Sequence, residues 1–473
     1  MSEPWDSPHQ MPLSQRDLDR IVTLPSLLAV TYQAEIVIEQ LSSVNGESFP
    51  HEALRVRDVL LCIAWRVLCE LRDLYDPADP RGIRGGHGNS RRVRDLASCL
   101  RNLFAWLRYL RTTSREFCPA AIQGAVLAMA KRHLGRNGDD VACLVRPKWN
   151  YNFSHYPLQD ELDWMIDTVV FDPQGAIPGS STAERFQRVW ERWRSTLPTD
   201  QCAQTDVTPP SNITVIAFAG LDTQDVLLWP LLVHELGHAV SQGPCREYLD
   251  AIRRDLPADR SLPSDNQEGV RAQMTLIKEL LADAIAVRIM GFSYFCAQAE
   301  CLKTVHEWPG EPMEDSGHPG PRVRLAKIFG YLQRNVGQPT LPQFLEAHGQ
   351  QDSQELRRYL QRWEEHIDAN QAPSIDSNDV IAAVAEAIVP QNESATLSAA
   401  FFSRIALLRS RQAPRLPGDT SKSFAEIMSA SWAYELLSGE QREIEAGERE
   451  AHSQRSEYRK TCDLILQACD GLL

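Results

Sequence analysis

Residues 225–243, DVLLWPLLVHELGHAVSQG, set several ionisable side chains into an apolar run that is typical of a buried helix. His234, Glu235 and His238 form an HExxH pattern within this run. Positions i and i+4 of an α-helix lie one above the other, so the two imidazoles can converge on one metal ion. Burying ionisable groups costs free energy unless partners or a metal satisfy them. The run therefore predicts a buried helix built around a metal site.

Zinc is the ion that this pattern favours. It takes neutral imidazole readily, and a catalytic site leaves one of its positions open to water. Glu235 can reach that water as a general base. Two alternatives stay open: the histidines are solvated at the surface, or the zinc is structural. The apolar neighbours disfavour the first, and a structural site would not require a carboxylate directly after His234.

A second apolar segment, residues 273–291, carries Glu279 and Asp283 on one helical face. A carboxylate buried among apolar residues needs a cation. We interpret Glu279 as the third metal ligand, and Asp283 as the acceptor of the free N–H of a ligating imidazole, which would fix its tautomer. The alternative is an internal ion pair of these carboxylates with Lys278 or Arg288.

The HELGH of residues 234–238 followed by the ELLAD of residues 279–283 resembles the gluzincin metallopeptidases, and especially the HtpX and CAAX prenyl protease type. The resemblance covers roughly residues 213–330. It implies a thermolysin-like catalytic core, a zinc ion and hydrolysis of peptide bonds. The roles that it implies are zinc ligation by His234, His238 and Glu279 and general-base catalysis by Glu235. Members of that group are typically embedded in membranes, whereas this chain has no run of about 18 apolar residues.

Further along the chain, His318 and Pro319 followed by Arg324 are similar to a downstream motif of the same group. His318 and Arg324 are candidate catalytic residues that stabilise the oxyanion or orient the substrate; the alternative is that they cap and pin the next helix. Cys245 follows the first helix and is a metal ligand, an inhibitory switch or a plain turn cysteine. Other histidines show no ligand spacing, among them His155, His306 and His366.

Charge and cysteine usage bear on partners and location. The net charge of −14 argues against nucleic acid or an anionic membrane as a partner. The 11 cysteines include no CxxC pair, which favours a reducing compartment, so we expect a cytoplasmic protein. Arginines from Arg81 to Arg115 form a cationic patch, largely on an amphipathic helix predicted over residues 91–113. The patch is a docking surface for an acidic partner or a solvated helix face.

The fold predicted from these patterns is mainly α, with a zincin-like metallopeptidase core and a small β-sheet, flanked by helical regions. ITVIAFA at residues 213–219 is the clearest strand, and we expect it at the rim of a cleft, where an extended peptide can add to the sheet edge. The segment after about residue 440 is a solvated helix pinned at its end or one completed by a partner. The predicted domains are an N-terminal helical domain at 1–205, a zincin-like catalytic core at 206–335 and a C-terminal helical region at 336–473.

The sequence thus predicts a soluble zinc-dependent endopeptidase, with one zinc ion per chain, that hydrolyses peptide bonds of a protein or peptide substrate through a zinc-activated water. The alternative is a non-hydrolytic zincin-fold scaffold or partner-binding regulatory module with an Arg-rich docking face. Glu235 weighs against this alternative, because a scaffold would lose nothing if that carboxylate were replaced.

Overall fold

A computed structural model of the chain is mainly helical and contains a small three-stranded sheet, as the sequence predicts. The residues that the structure describes are 24–76, 87–134, 140–148, 153–170, 184, 186–187, 190, 209–210, 212–219, 225–242, 267–306, 321–334, 341–348, 351–366, 378–390, 397–419, 423–445, 451–469 and 472.

The chain divides into two compact units. The first comprises Met1–Ser114 with Leu158–Ile213, and the second comprises Arg115–Pro157 with Thr214–Leu473. The division predicted from the sequence places residues 115–157 with the N-terminal helices, whereas in the structure they pack with the HExxH segment. The second unit also joins that segment to the C-terminal helices.

Apolar stripes hold the helices of the first unit together. These helices are α1 (Leu24–Ser42), α2 (His51–Asp73), α3 (His87–Thr112) and α5 (Gln159–Val170). The apolar stripe predicted for residues 91–113 is buried in α3, where Leu96, Leu103 and Leu110 are fully shielded from solvent. The indole N–H of Trp106 on the same helix donates to the Glu161 carboxylate of α5 at 2.9 Å. The periodicity of the sequence therefore identifies the packed face of α3 correctly.

The arginine patch lies partly on the outer face of α3. Arg91, Arg101 and Arg108 are exposed there, whereas Arg92 forms an ion pair with Glu70 of α2, with Nη2 2.7 Å from Oε2. Arg81 and Arg84 lie outside the described residues. The docking role of the patch stays a prediction.

The sheet belongs to the HExxH-bearing unit and has the strand order β1–β3–β2 in the described part of the chain. Its strands are β1 (Val141–Lys148), β2 (Ser154–Pro157) and β3 (Asn212–Ala219). The strand predicted over residues 213–219 is confirmed as β3, but its expected place at a cleft rim is wrong, because β3 has a paired strand on both sides. A short apolar run buried on both faces is typical of such a central strand. Among the described strands, β2 forms an edge, antiparallel to β3.

Two chain breakers set the ends of the helices near the HExxH motif. The helices of this region are α4 (Ala120–Leu134), α6 (Leu232–Gln242), α7 (Gln267–Met290), α8 (Phe292–His306) and α9 (Pro321–Gln333). Pro230 lies in a 3₁₀ helix, Val226–Leu231, and α6 begins directly after it, because proline lacks the N–H that a helix interior needs. Gly291 has φ 59° and turns the chain from α7 into α8, a left-handed conformation that favours glycine.

The C-terminal helices pack against the segment ahead of α6. These helices are α10 (Leu341–His348), α11 (Gln351–His366), α12 (Asn378–Ile388), α13 (Ala400–Arg409), α14 (Phe424–Glu445) and α15 (Ala451–Cys469). The Trp432 indole of α14 donates to the Leu227 carbonyl at 2.9 Å, and the Tyr458 hydroxyl of α15 donates to the Asp225 carboxylate at 2.7 Å. Ile465 of α15 is buried in the core. The end of the last helix is thus pinned within its own chain, and the choice between the two alternatives above stays a prediction.

Two further properties concern the predicted lack of membrane spans and the predicted cytoplasmic location. Of the helices in the described ranges, none has the length and apolar character needed to cross a membrane. Most of the cysteines that the structure describes are buried. The cytoplasmic location stays a prediction.

Candidate metal centre

Helices α6 and α7 bring the predicted metal ligands together. The Nε2 atoms of His234 and His238 lie 3.1 Å apart. Glu279 reaches across from α7, with Oε2 3.2 Å from His234 Nε2 and Oε1 3.2 Å from His238 Nε2. His234 and Glu279 are buried, and His238 is partly buried. These three side chains form a cluster that could hold a metal ion.

Asp283, one turn after Glu279, fixes the far side of His234. Its Oδ1 lies 2.8 Å from His234 Nδ1, so the ring can donate its Nδ1–H to the carboxylate and leave Nε2 free to face the cluster. Asp283 is fully buried. This is the contact that the acceptor role predicted for Asp283 requires, and the ligation of a metal by His234 stays a prediction.

Two further donors satisfy the Asp283 carboxylate. Arg324 of α9 donates from Nε to Oδ2 at 2.9 Å and from Nη2 to Oδ1 at 2.8 Å. The Tyr294 hydroxyl of α8 donates to Oδ1 at 2.5 Å. Arg324 Nη2 also lies 3.2 Å from each of the two ring nitrogens of His234. A buried carboxylate that accepts so many bonds is rigid, and it holds the imidazole behind it in one orientation.

In this network, neighbouring opposite charges shift the pKa values of Asp283, His234 and Arg324 toward their charged forms. Burial raises the pKa of Asp283, but Arg324 and His234 outweigh burial and hold that pKa well below its usual range. Burial and Arg324 both lower the pKa of His234, yet Asp283 and Glu279 outweigh them and raise it to about 9. Burial likewise lowers the pKa of Arg324, and Asp283 raises it above its ordinary value. Asp283 and Arg324 therefore form a buried ion pair next to the cluster.

Neither Lys278 nor Arg288, the two cations of the alternative interpretation, is the cation that pairs with Asp283. The Arg288 Nε donates to the Val389 carbonyl at 2.6 Å, and Lys278 is exposed on another face of α7. Asp283 pairs instead with Arg324, which lies 41 positions further along the chain.

The glycine inside the HELGH motif sets the distance between the two ligand-bearing helices. A Cβ atom built on Gly237 would lie 2.8 Å from the Ala282 Cα and 2.9 Å from the Ala282 carbonyl oxygen of α7. Both contacts are with backbone, which cannot rotate away as a side chain can. Only a residue without a side chain allows α6 and α7 to approach this closely, and this approach brings Glu279 to the histidines.

Replacing Gly237 with alanine is therefore expected to destabilise the protein by about 1–3 kcal/mol, the usual cost of overpacking, and to weaken metal binding. Gly330 of α9 is the matched control, because a Cβ atom there has no neighbour within 4 Å. Gly330→Ala is expected to raise stability by up to about 1 kcal/mol, since alanine suits a helix better than glycine. Urea titration and metal analysis test both; equal stability of Gly237→Ala and wild type would contradict the packing argument.

Of the remaining predicted site residues, the structure describes Arg324 but not His318 or Cys245. His318 and Cys245 lie outside the described residues, so their roles stay predictions. Arg324 is at the site, where it contacts Asp283, His234 and, at 3.9 Å, the Glu279 carboxylate, so it supports the cluster from within the protein. Its catalytic role likewise stays a prediction.

Sequence reasoning missed two residues. Tyr294 is fully buried and completes the Asp283 network, yet an isolated tyrosine in an apolar helix carries no signal of its partner. His155 of β2 has no ligand spacing in the sequence, but in the fold β2 packs against α6, the helix that carries His234 and His238. No local pattern could have revealed either placement: the bond from Tyr294 to Asp283 forms only because the chain turns back between two consecutive helices, and β2 lies far from α6 along the chain.

No protein-family model matches the chain, and neither a curated protein nor a solved structure shows significant similarity to it. The functional argument therefore rests on the residues of the site and their geometry.

Proposed function

We propose that this protein is a zinc-dependent endopeptidase of the gluzincin type, with a zincin-like core that binds one zinc ion. The buried cluster of His234, His238 and Glu279 is the single observation that carries this proposal. Glu235 supports it, because it directly follows His234 on the same helix and is 7% exposed. Two imidazoles and one carboxylate are a known ligand set of catalytic zinc in peptidases.

The spacing of the ligand atoms suits zinc. Ligands placed tetrahedrally at about 2.0–2.1 Å from an ion lie about 3.3 Å from one another. The two Nε2 atoms are 3.1 Å apart, and each lies 3.2 Å from a different oxygen of Glu279, Oε2 for His234 and Oε1 for His238. The hydrogen bond from His234 Nδ1 to Asp283 adds the outer support that such sites commonly have.

Bound zinc supplies a Lewis acid that polarises a carbonyl group and lowers the pKa of water to about 7. Residues of this chain supply the proton transfer and hold the ligands in position. Glu235 removes the proton of the attacking water and passes it to the leaving nitrogen. Asp283 holds His234 in the tautomer that presents Nε2 to the ligand cluster, and Arg324 keeps Asp283 ionised. The proposed substrate is a protein or a peptide.

Zinc analysis tests this proposal. Purified wild-type protein is expected to contain one zinc ion per chain, and Glu279→Ala is expected to lose most of it, because removing one of three protein ligands leaves only two imidazoles. Inductively coupled plasma mass spectrometry gives the stoichiometry, and competition with a zinc chelator gives the affinity.

Glu300→Ala is the control for this measurement, because Glu300 is an exposed glutamate on α8. We expect its zinc content to equal that of wild type. Stoichiometric zinc with unchanged affinity in Glu279→Ala would place the third ligand elsewhere. Wild-type protein that binds no zinc from a buffered solution would contradict the proposal itself.

A further inference from the structure

His155 projects from the edge strand β2 toward the HExxH helix. It lies opposite Ile216 of β3, and directly opposed residues of paired strands project to the same face of a sheet. Ile216 is buried in the same core as Leu232 and Leu236 of α6. The face of the sheet that carries His155 is therefore the face that packs on α6.

The neighbours of His155 on β2 confirm this direction. Successive side chains of a strand point to opposite faces. Ser154 and Tyr156 interact with each other, their oxygen atoms 3.1 Å apart, and Lys148 of β1 interacts with both. These three residues form a polar group on the other face, so His155 is the side chain of this short strand segment that turns toward the metal centre.

The imidazole of His155 can donate a hydrogen bond, and the metal centre described above gives it no role. It is half-buried, and no described residue forms a hydrogen bond with its ring. In either protonation state the imidazole carries at least one N–H. It does not belong to the close cluster of His234, His238 and Glu279. A half-buried N–H donor thus faces the helix that carries His234 and His238, on a strand with one unpaired edge in the described part of the sheet.

We propose that His155 is a further catalytic residue, which donates its N–H to the carbonyl oxygen of the scissile peptide bond as negative charge develops there. This inference rests on the proposed peptidase function. The water oxygen bonds to the carbonyl carbon, the π electron pair moves to the carbonyl oxygen, and Glu235 takes the water proton. The C–N bond then breaks as that proton passes to nitrogen, which yields a carboxylic acid and an amine. His155 stabilises the oxyanion by a hydrogen bond and transfers no proton.

Kinetics of His155 variants test this role. The substrate is a peptide that spans a cleavage site found in a cell extract, and the variants are His155→Ala and His155→Gln. Loss of one oxyanion donor is expected to lower kcat by roughly 10²- to 10³-fold in the alanine variant. KM, zinc content and melting temperature are expected to stay unchanged, and the glutamine amide, which keeps an N–H donor, is expected to recover part of kcat. Ser154→Ala is the control, because Ser154 lies on the same strand but on the opposite face.

Binding of a phosphinic analogue of the same peptide gives a readout that does not depend on turnover, because its tetrahedral oxyanion resembles the charged intermediate. His155→Ala is expected to weaken this binding by roughly 10- to 100-fold, the factor for a hydrogen bond to a charged group. An unchanged kcat, an effect on KM alone, or a fall in kcat with an equal loss of zinc would each overturn the role of His155. Wild-type protein that binds zinc but neither cleaves peptides nor binds the analogue would instead refute the peptidase function.

Discussion

Arg324→Ala is expected to lower the free energy of unfolding by about 3–5 kcal/mol, because it leaves the Asp283 carboxylate buried without its cation. Asp283 is fully shielded from solvent and accepts two of its bonds from this guanidinium. Chemical denaturation measures the loss. If Arg324 acted only on the transition state, as one interpretation of the sequence predicts, the variant would lose kcat and keep its stability and zinc.

Arg409→Ala is the matched control for this variant. Arg409 also forms a two-bond ion pair with an aspartate of another helix, Asp352, at 2.7 and 2.8 Å, but the arginine side chain is 44% exposed. We expect a loss of at most about 1 kcal/mol there. Adding Asp283→Asn to Arg324→Ala is expected to recover part of the stability, since no buried charge then lacks a partner. A loss in Arg324→Ala no larger than in Arg409→Ala would contradict the support that we assign to Arg324.

Glu235→Gln is expected to lower the rate of peptide hydrolysis by roughly 10²- to 10⁴-fold while folding and zinc content stay unchanged. The amide keeps the shape of the side chain and leaves the three metal ligands in place, but it cannot accept the proton of the attacking water. Initial rates at equal zinc content measure the effect. His234→Ala, in contrast, is expected to lose both the metal and the activity.

Glu235→Gln also separates the enzyme from a zincin-fold scaffold. A scaffold would bind its partner equally well with either side chain, and neither form would cleave it. Equal cleavage rates of zinc-loaded wild type and Glu235→Gln would show that another group acts as the base.

The cluster of His234, His238 and Glu279 could be predicted from the sequence, because local helical geometry determines most of it. Helical periodicity places His234 over His238 and Glu279 over Asp283, and the apolar residues around each pair indicate burial. The need for a third ligand then connects the two helices. The identity of β3 could be predicted for a similar reason, since its run of β-branched and apolar residues is a local signal.

Contacts between distant elements could not be predicted in this way. The sequence gives no pairing order, so β3 was expected at a rim, although it lies between β1 and β2. The strand β2 is too short for its alternation to stand out, and His155 therefore had no visible link to the site. The close approach at Gly237 and the bond from Tyr294 to Asp283 likewise arise only when α6, α7 and α8 pack together.

Counting new protein amino termini in a cell extract tests the central claim most directly. The extract is treated with zinc-loaded wild-type protein, with the same protein after its zinc is removed, and with zinc-loaded Glu235→Gln. We predict that specific new amino termini appear with zinc-loaded wild type alone and return when the metal-free protein receives zinc. If the zinc-loaded and metal-free forms produced the same set of termini, hydrolysis at the cluster of His234, His238 and Glu279 would be contradicted.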